Sequence, residues 1–415
     1  MTEDRLTQVW RFVLLLIPYA LIYSIPISNG LILCLLFIAI LQFIKSKSRA
    51  FNWKIFFVST TPFWITLVGL AYSNNLEVGA SILETRLPLL LFPILFSFNQ
   101  PVVKDRAAFL KHYLLSLLVT FFVVLMIAIY RNYKDPWPVI WVNQWYYHYD
   151  NLTEPIDIQP LYLSLYVGFG LLILLIDHWG FTTFNFFNNK KLSAILIGIL
   201  TLFLVLLSVR LIIVIFAFLT IFLLLSSFVF RKRKNVITSI IIISGLVGLS
   251  FLSPVTRGRF SGLFAKQYDF STYSLDRFII WSVALNHIKS EPTRYIFGNG
   301  TGTSEQLMDH LYREQGIEWN FEKKTNTHNQ YIGFILDNGY VGCFILISFF
   351  IISGMEFIKE SDWLGLIFIL LMASSMVGEN YLNRQKGVVF FSLFYSFLYL
   401  TRKESKKFES NSGHE

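Results

Sequence analysis

The feature that most constrains this chain is a succession of apolar runs, each close to the length of a bilayer crossing, separated by short clusters of charge. A helix needs about 20 mostly apolar residues to cross the hydrocarbon core, and its backbone must satisfy its own polar groups there. Runs of this kind occupy residues 10–27, 31–44, 55–71, 87–98, 114–130, 160–176, 192–209, 211–230, 236–252, 340–357, 363–377 and 388–400. They predict an all-α integral membrane protein of about twelve transmembrane helices. Composition agrees: the chain is 54% hydrophobic and only 15% charged, where a soluble domain carries roughly a quarter of its residues as charges. A soluble enzyme, a disordered scaffold and a disulfide-built domain are all excluded. The two cysteines, Cys34 and Cys343, both lie in apolar runs and offer neither a disulfide framework nor a thiolate metal site.

The formal net charge of +9 does not indicate a nucleic-acid partner, because the basic residues sit in clusters between the runs. There positive charge sets membrane orientation. The first run passes into the second through Pro26 and Asn29-Gly30 with no small-residue cleavage site, so an uncleaved first span is expected. With the N-terminus in the cytoplasm and residues 253–330 set aside, 20 of the remaining 26 Lys and Arg lie inside and 6 outside. If run 87–98 failed to cross, those counts would become 11 and 15. The first arrangement follows the positive-inside rule and predicts both termini in the cytoplasm. Residues 1–252 then hold nine spans, 253–330 form one long, partly helical extracytoplasmic loop, 331–401 hold three spans, and 402–415 read as a disordered tail.

Within the long loop, residues 275–289 read as a helix, with Ser274 as an N-cap and Pro292 beyond its end. A glycine-rich turn, FGNGTGTS, follows at 297–304. It lacks the Gly-Lys-Ser/Thr ending of a nucleotide-binding loop, so it is a strong signal for a tight turn and a weak one for phosphate. A further helix is expected to open near His328, with Gly339 as a C-cap or kink before the tenth span.

A few polar residues stand where hydrophobicity alone does not call for them. Arg210 interrupts almost continuous aliphatic sequence, at a cost of several kcal/mol unless its guanidinium reaches water or an anion. It either snorkels to the interface or grips phosphate oxygens in bidentate fashion. Arg277, on the loop helix, either serves a ligand or pairs with Asp276. His328 is suited to take a hydroxyl proton near neutral pH, or simply to hydrogen-bond a helix start. His148, His178, His287 and His310 show no metal-ligand spacing with it, and no metal site is expected. Arg86 precedes the fourth run, while Glu379 and Arg384 share the short connection GENYLNRQKG, where they can merely pair with each other. In the predicted topology Arg86, Arg210, Arg277, His328, Glu379 and Arg384 all face one side of the membrane.

The ordered set SVRLIIVIF, DRFIIWSVALNHI, IFGNGTGTS, THNQYIGFILDNGYVG and GENYLNRQKGVVFF, spread over about residues 192–391, resembles the O-antigen ligase and Wzy-type polymerase family of bacterial envelope enzymes. One departure is the arginine joint, where members often have Ser-Arg followed by small residues and this chain has Leu211 and Ile212. The resemblance implies glycosyl transfer at the periplasmic face of the inner membrane, with no cofactor and no metal. The donor would be a polyprenyl-diphosphate-linked glycan and the acceptor a hydroxyl of lipid A-core or another glycan. It implies catalytic roles for His328, Arg210 and Arg277, with Arg86, Asn329, Tyr331, Glu379 and Arg384 completing a diphosphate- or substrate-binding set. A polymerase of the same family is the alternative within the class. A transporter or flippase for a lipid-linked or anionic solute is the alternative outside it, and would be expected to show internal repeats and helices broken at the bilayer midplane.

Overall fold

The computed structural model describes residues 3–45, 53–98, 106–134, 144–182, 186, 189–226, 233–252, 277–316 and 326–412, and every regular element among them is helical. In chain order the helices are α1 (Glu3–Tyr23), α2 (Ile25–Lys45), α3 (Trp53–Ser59), α4 (Thr61–Leu70), α5 (Leu76–Thr85), α6 (Pro88–Phe98), α7 (Arg106–Lys134) and α8 (Tyr149–Thr153). They continue as α9 (Pro160–His178), α10 (Lys190–Leu207), α11 (Arg210–Leu225), α12 (Arg233–Leu252), α13 (Arg277–Ser290), α14 (Ser304–Glu314), α15 (Gln330–Lys359), α16 (Trp363–Ser375) and α17 (Gln385–Ser412).

Among the described residues seven helical stretches are long and apolar enough to cross a bilayer, against the twelve expected. They are Arg5–Tyr23, Ile25–Lys45, Leu76–Ser97, Arg106–Lys134, Pro160–His178, Lys190–Leu207 and Gln330–Lys359; Thr61–Leu70, Arg210–Leu225 and Trp363–Ser375 are apolar but shorter. Local chemistry accounts for some of the shortening. The run at 55–71 breaks into α3 and α4 at Thr60, because Pro62 cannot donate a backbone hydrogen bond and belongs in a first helical turn. Thr60 Oγ1 stabilises the break by donating to Phe56 O at 2.9 Å and accepting Trp64 Nε1 at 2.8 Å. The joint between α10 and α11 is a turn at Ser208, whose backbone is left-handed.

The core is built around α9 and α17. From Tyr162 to Ile176 every residue of α9 is buried, as is every residue of α17 from Lys386 to Tyr399. A helix apolar on all sides belongs inside a bundle. Aromatic rings lock these two to their neighbours: Tyr166 stacks on Phe390 at 4.5 Å, Phe169 meets Phe368 edge-on at 4.9 Å, and Phe109 of α7 meets Phe397 at 4.5 Å. The outer helices instead expose large apolar side chains, among them Phe37, Phe122, Met126, Phe218, Phe344 and Met355. This is the surface a bilayer requires of a membrane bundle.

Ionic contacts mark the two ends. At one end Arg106, at the start of α7, makes a buried bidentate pair with Asp362 before α16 at 2.8 and 2.9 Å, and Arg402 reaches Glu356 near the end of α15 at 3.1 Å. At the other end Lys386 at the start of α17 donates to the carbonyls of Asp157 and Ile22, at 2.5 and 3.4 Å. Residues 326–330 and 376–382 lie at this second end, where α15 begins and α16 finishes. The helix of residue 385 onward runs past Arg402 to Ser412, where a disordered tail was expected; Lys and Glu are good helix formers, and α17 simply propagates through them.

Candidate functional site

The site rests on the glycine-rich turn. Gly298, Gly300 and Gly302 all have positive φ, and Gly339 breaks α15 with φ 70° and ψ −176°. The turn is wedged between that break and the α4–α5 corner. The N–H groups of Asn299 and Gly300 donate to Leu336 O and Asp337 O at 3.0 and 2.7 Å, and Thr301 N donates to Gly69 O at 3.0 Å. The buried Asp337 carboxylate accepts from Thr303 N and Ser304 N at 3.1 and 2.8 Å, and so caps α14 from a distance. The donors of this turn are thus bonded to protein and not free to face an anion, and the turn acts as a plug. Gly339 is a kink, but it lies inside the apolar stretch Gln330–Lys359 and not ahead of it as expected.

His328 lies outside α15, which opens two residues later at Gln330 and not at His328. Its own φ is 43°, a left-handed conformation costing a non-glycine residue about 1–2 kcal/mol. The surrounding contacts hold it. Asn329 is the N-cap, its Oδ1 accepting from Tyr331 N and Ile332 N at 3.0 and 3.1 Å. His328 N donates to Asn326 Oδ1 at 2.8 Å, and Trp281 Nε1 of α13 donates to Thr327 O at 3.1 Å. Gln330 then staples the segment to the connection after α16: its N–H donates to Met376 O at 2.9 Å, and its Oε1 accepts from Leu382 N at 2.8 Å.

This staple brings His328 Nδ1 to 2.9 Å from Glu379 Oε2. The Glu379 side chain is 8% exposed and that of His328 38%. Burial alone would raise the Glu379 carboxyl. The hydrogen bond and charge of His328, the N–H of Asn380 and the charge of Arg277 outweigh it and hold the group below the ordinary carboxylate range. An ionised Glu379 can only accept, so Nδ1 must donate. The neutral ring then carries its lone pair on Nε2, on the more exposed partner of the pair.

Arg277 opens α13, and its Nη1 is close enough to Gly378 that a Cβ there would meet it at 3.0 Å. The same Cβ would strike the Leu211 side chain. Arg210, at the first position of α11, is therefore next in sequence to a residue packed on the Glu379 connection. The Ser208 turn that presents it has φ 53°. His148 is buried behind this turn, its Nδ1 3.4 Å from Ser208 Oγ. Burial pushes the imidazole of His148 down, opposed by its hydrogen bond to the Leu206 carbonyl.

The remaining expected residues take different places. Arg86 is fully buried behind the connection, donating to Leu382 O at 3.0 Å, Thr66 Oγ1 at 2.6 Å and Asn383 Oδ1 at 2.6 Å, with Phe334 beneath its guanidinium. It braces the site from inside and presents no face to a ligand. Asn329 is a helix cap, and Tyr331 donates its hydroxyl to Ala373 O at 2.8 Å. Arg384 is exposed and near enough to influence Tyr162 electrostatically, as does Glu379, but Glu379 pairs with His328 and not with Arg384. Sequence reasoning missed Asn326, Asn380, Gln330 and Tyr381. The first three are ordinary polar residues in sequence, and only the folded contact gives them work. Tyr381 is fully buried within electrostatic range of Glu379 and Arg277, and its hydroxyl has no hydrogen-bond partner among the described residues. Ser274 and Asp276 fall outside the described residues. Among the described residues, no three His, Cys, Asp or Glu side chains gather as a metal would require.

No curated protein matches the chain. Residues 194–347 match a family model described as O-antigen ligase. The matched stretch, a little over a third of the chain, spans Arg210, Arg277, the glycine-rich plug and His328, and over that stretch the chain is similar to O-antigen ligases.

Proposed function

We propose that this chain transfers a glycan from a polyprenyl-diphosphate lipid to a sugar hydroxyl at the extracytoplasmic surface of the bacterial inner membrane, as a ligase would in lipopolysaccharide or related surface-polysaccharide assembly. The observation that carries the proposal is the His328–Glu379 pair with Arg277 beside it. The acceptor hydroxyl gives its proton to Nε2 of His328 as its oxygen bonds to the anomeric carbon. The bond from that carbon to the phosphate oxygen breaks, and the diphosphate departs with the electron pair. Arg277 and Arg210 hold it and offset the charge it gains, and Glu379 stabilises the imidazolium. A single displacement of this kind inverts the anomeric carbon. Positioned general bases contribute about 10²–10⁴-fold and fixed donors to a developing anion about 10²–10³-fold each. The driving energy lies in the donor, so the step assigns no role to ATP, to a cofactor or to a metal.

The test is turnover of a lipid-linked glycan by the purified protein in lipid discs. His328→Ala with intact fold is expected to lose transfer, and full activity in that variant would remove His328 from the chemistry. Lipopolysaccharide profiles of a deletion strain separate the acceptor classes. Loss of long chains with polymer accumulating on its lipid carrier marks a ligase, and capping by a single repeat marks a polymerase.

A further inference from the structure

The turn at Ile296 and Phe297 is out of place for a water-exposed segment. Phe297 is 63% exposed and Ile296 is also exposed, at the tip of the 3-10 turn Arg294–Ile296. Two contacts fix their level in the bundle. Tyr72, just beyond α4, donates its hydroxyl to Phe297 O at 2.7 Å. The Gly339 break packs so closely on the backbone of Phe297 that no side chain could replace its hydrogen.

From these contacts an apolar stripe descends along α15, and a smaller exposed apolar pair, Leu67 and Val68, lies on α4. On α15 the exposed residues Tyr340, Phe344, Ile347, Ile351 and Met355 recur at helical spacing, one face of a helix long and apolar enough to cross a bilayer. On α4 the exposed Val68 lies one turn below Tyr72. Phe297 sits at the head of the α15 stripe and above the α4 pair, beside Tyr72 and Tyr340. Tyrosine is enriched at membrane–water interfaces, where its ring lies among headgroups with its hydroxyl in a polar layer. An exposed apolar patch continuous with a lipid-facing surface has lipid as its natural cover.

We infer that Ile296 and Phe297 insert into the bilayer interface and anchor the α13–α14 segment to the membrane surface. The partner is phospholipid, at the level of Tyr72 and Tyr340. The anchor holds α13, and with it Arg277, close to the plane in which a lipid-borne substrate travels. The inference rests on the bilayer-facing character of α4 and α15 and stands independently of the transfer chemistry.

The test uses site-directed nitroxides on the full-length protein in vesicles of phosphatidylethanolamine and phosphatidylglycerol. Cys34, the exposed cysteine, is replaced by serine, while the buried Cys343 is kept. Labels go on Phe297→Cys and Ile296→Cys, with Phe344→Cys as the lipid reference and the exposed His310→Cys as the aqueous one. Collisions with dissolved oxygen are expected to dominate over collisions with a nickel chelate at 297 and 296, as at 344. Nickel dominance at the level of 310 would overturn the inference, and so would exclusion of both agents, which would mean that protein covers the turn. The readout needs no turnover, so an inactive preparation leaves it intact.

Discussion

His328 Nδ1 stands 2.9 Å from Glu379 Oε2, and the two side chains come from connections 51 positions apart in sequence. The carboxylate fixes which nitrogen carries the proton, and Gln330 fixes the distance between the connections.

Glu379→Gln therefore keeps the size of the side chain but removes the charge that orients the ring. The expected outcome is a fall in kcat of about 10²-fold or more, with KM for the donor little changed, because the loss lies in proton transfer and not in grip. Steady-state kinetics in lipid discs check this, with elution volume reporting fold.

The same pair sets an acid limit. Glu379 is depressed in the folded protein, so its contribution to stability is complete above the ordinary carboxylate pKa of about 4.3 and is lost as pH falls through the lower folded value. Thermal unfolding against pH should show wild type ahead of Glu379→Gln at neutral pH, with the gap closing as pH falls below the ordinary carboxylate pKa. A gap that stayed constant across the series would contradict the pairing.

Arg86 is expected to behave as a brace. Removing its guanidinium leaves Leu382 O, Thr66 Oγ1 and Asn383 Oδ1 without their donor in a buried place. A buried acceptor left without its donor costs about 1–3 kcal/mol. Arg86→Met should lower the unfolding temperature sharply. Any remaining folded protein should bind donor as wild type does, measured by titration in discs.

Gly300 tests the plug. Its φ is 95°, and a Cβ there would overlap the backbone of Ser73. Gly300→Ala should destabilise by more than about 1 kcal/mol, through strain and displacement together. Gly316 also has positive φ but has open space around it, so Gly316→Ala should cost less. The two melting temperatures make the comparison.

Much of this protein is legible in one dimension. Apolar periodicity reports helices and their lipid-facing character, because solvent quality acts on each segment where it stands. Arg210 could be singled out for a related reason, since a charge between aliphatic runs is costly whatever surrounds it, whereas Arg277 and His328 stood out only through the motifs that carry the family resemblance. The partition among roles is different. Arg86 and Glu379 looked alike as charged residues in short connections. One became a buried brace and the other the partner of a histidine, according to which carbonyls and rings folding brought to them. The glycine-rich turn offered N–H groups in sequence and directs them to Arg294, Gly69, Leu336 and Asp337 in space. Hydrogen-bond partners between connections are set by the packing of helices distant in sequence, so only the assembled bundle decides them.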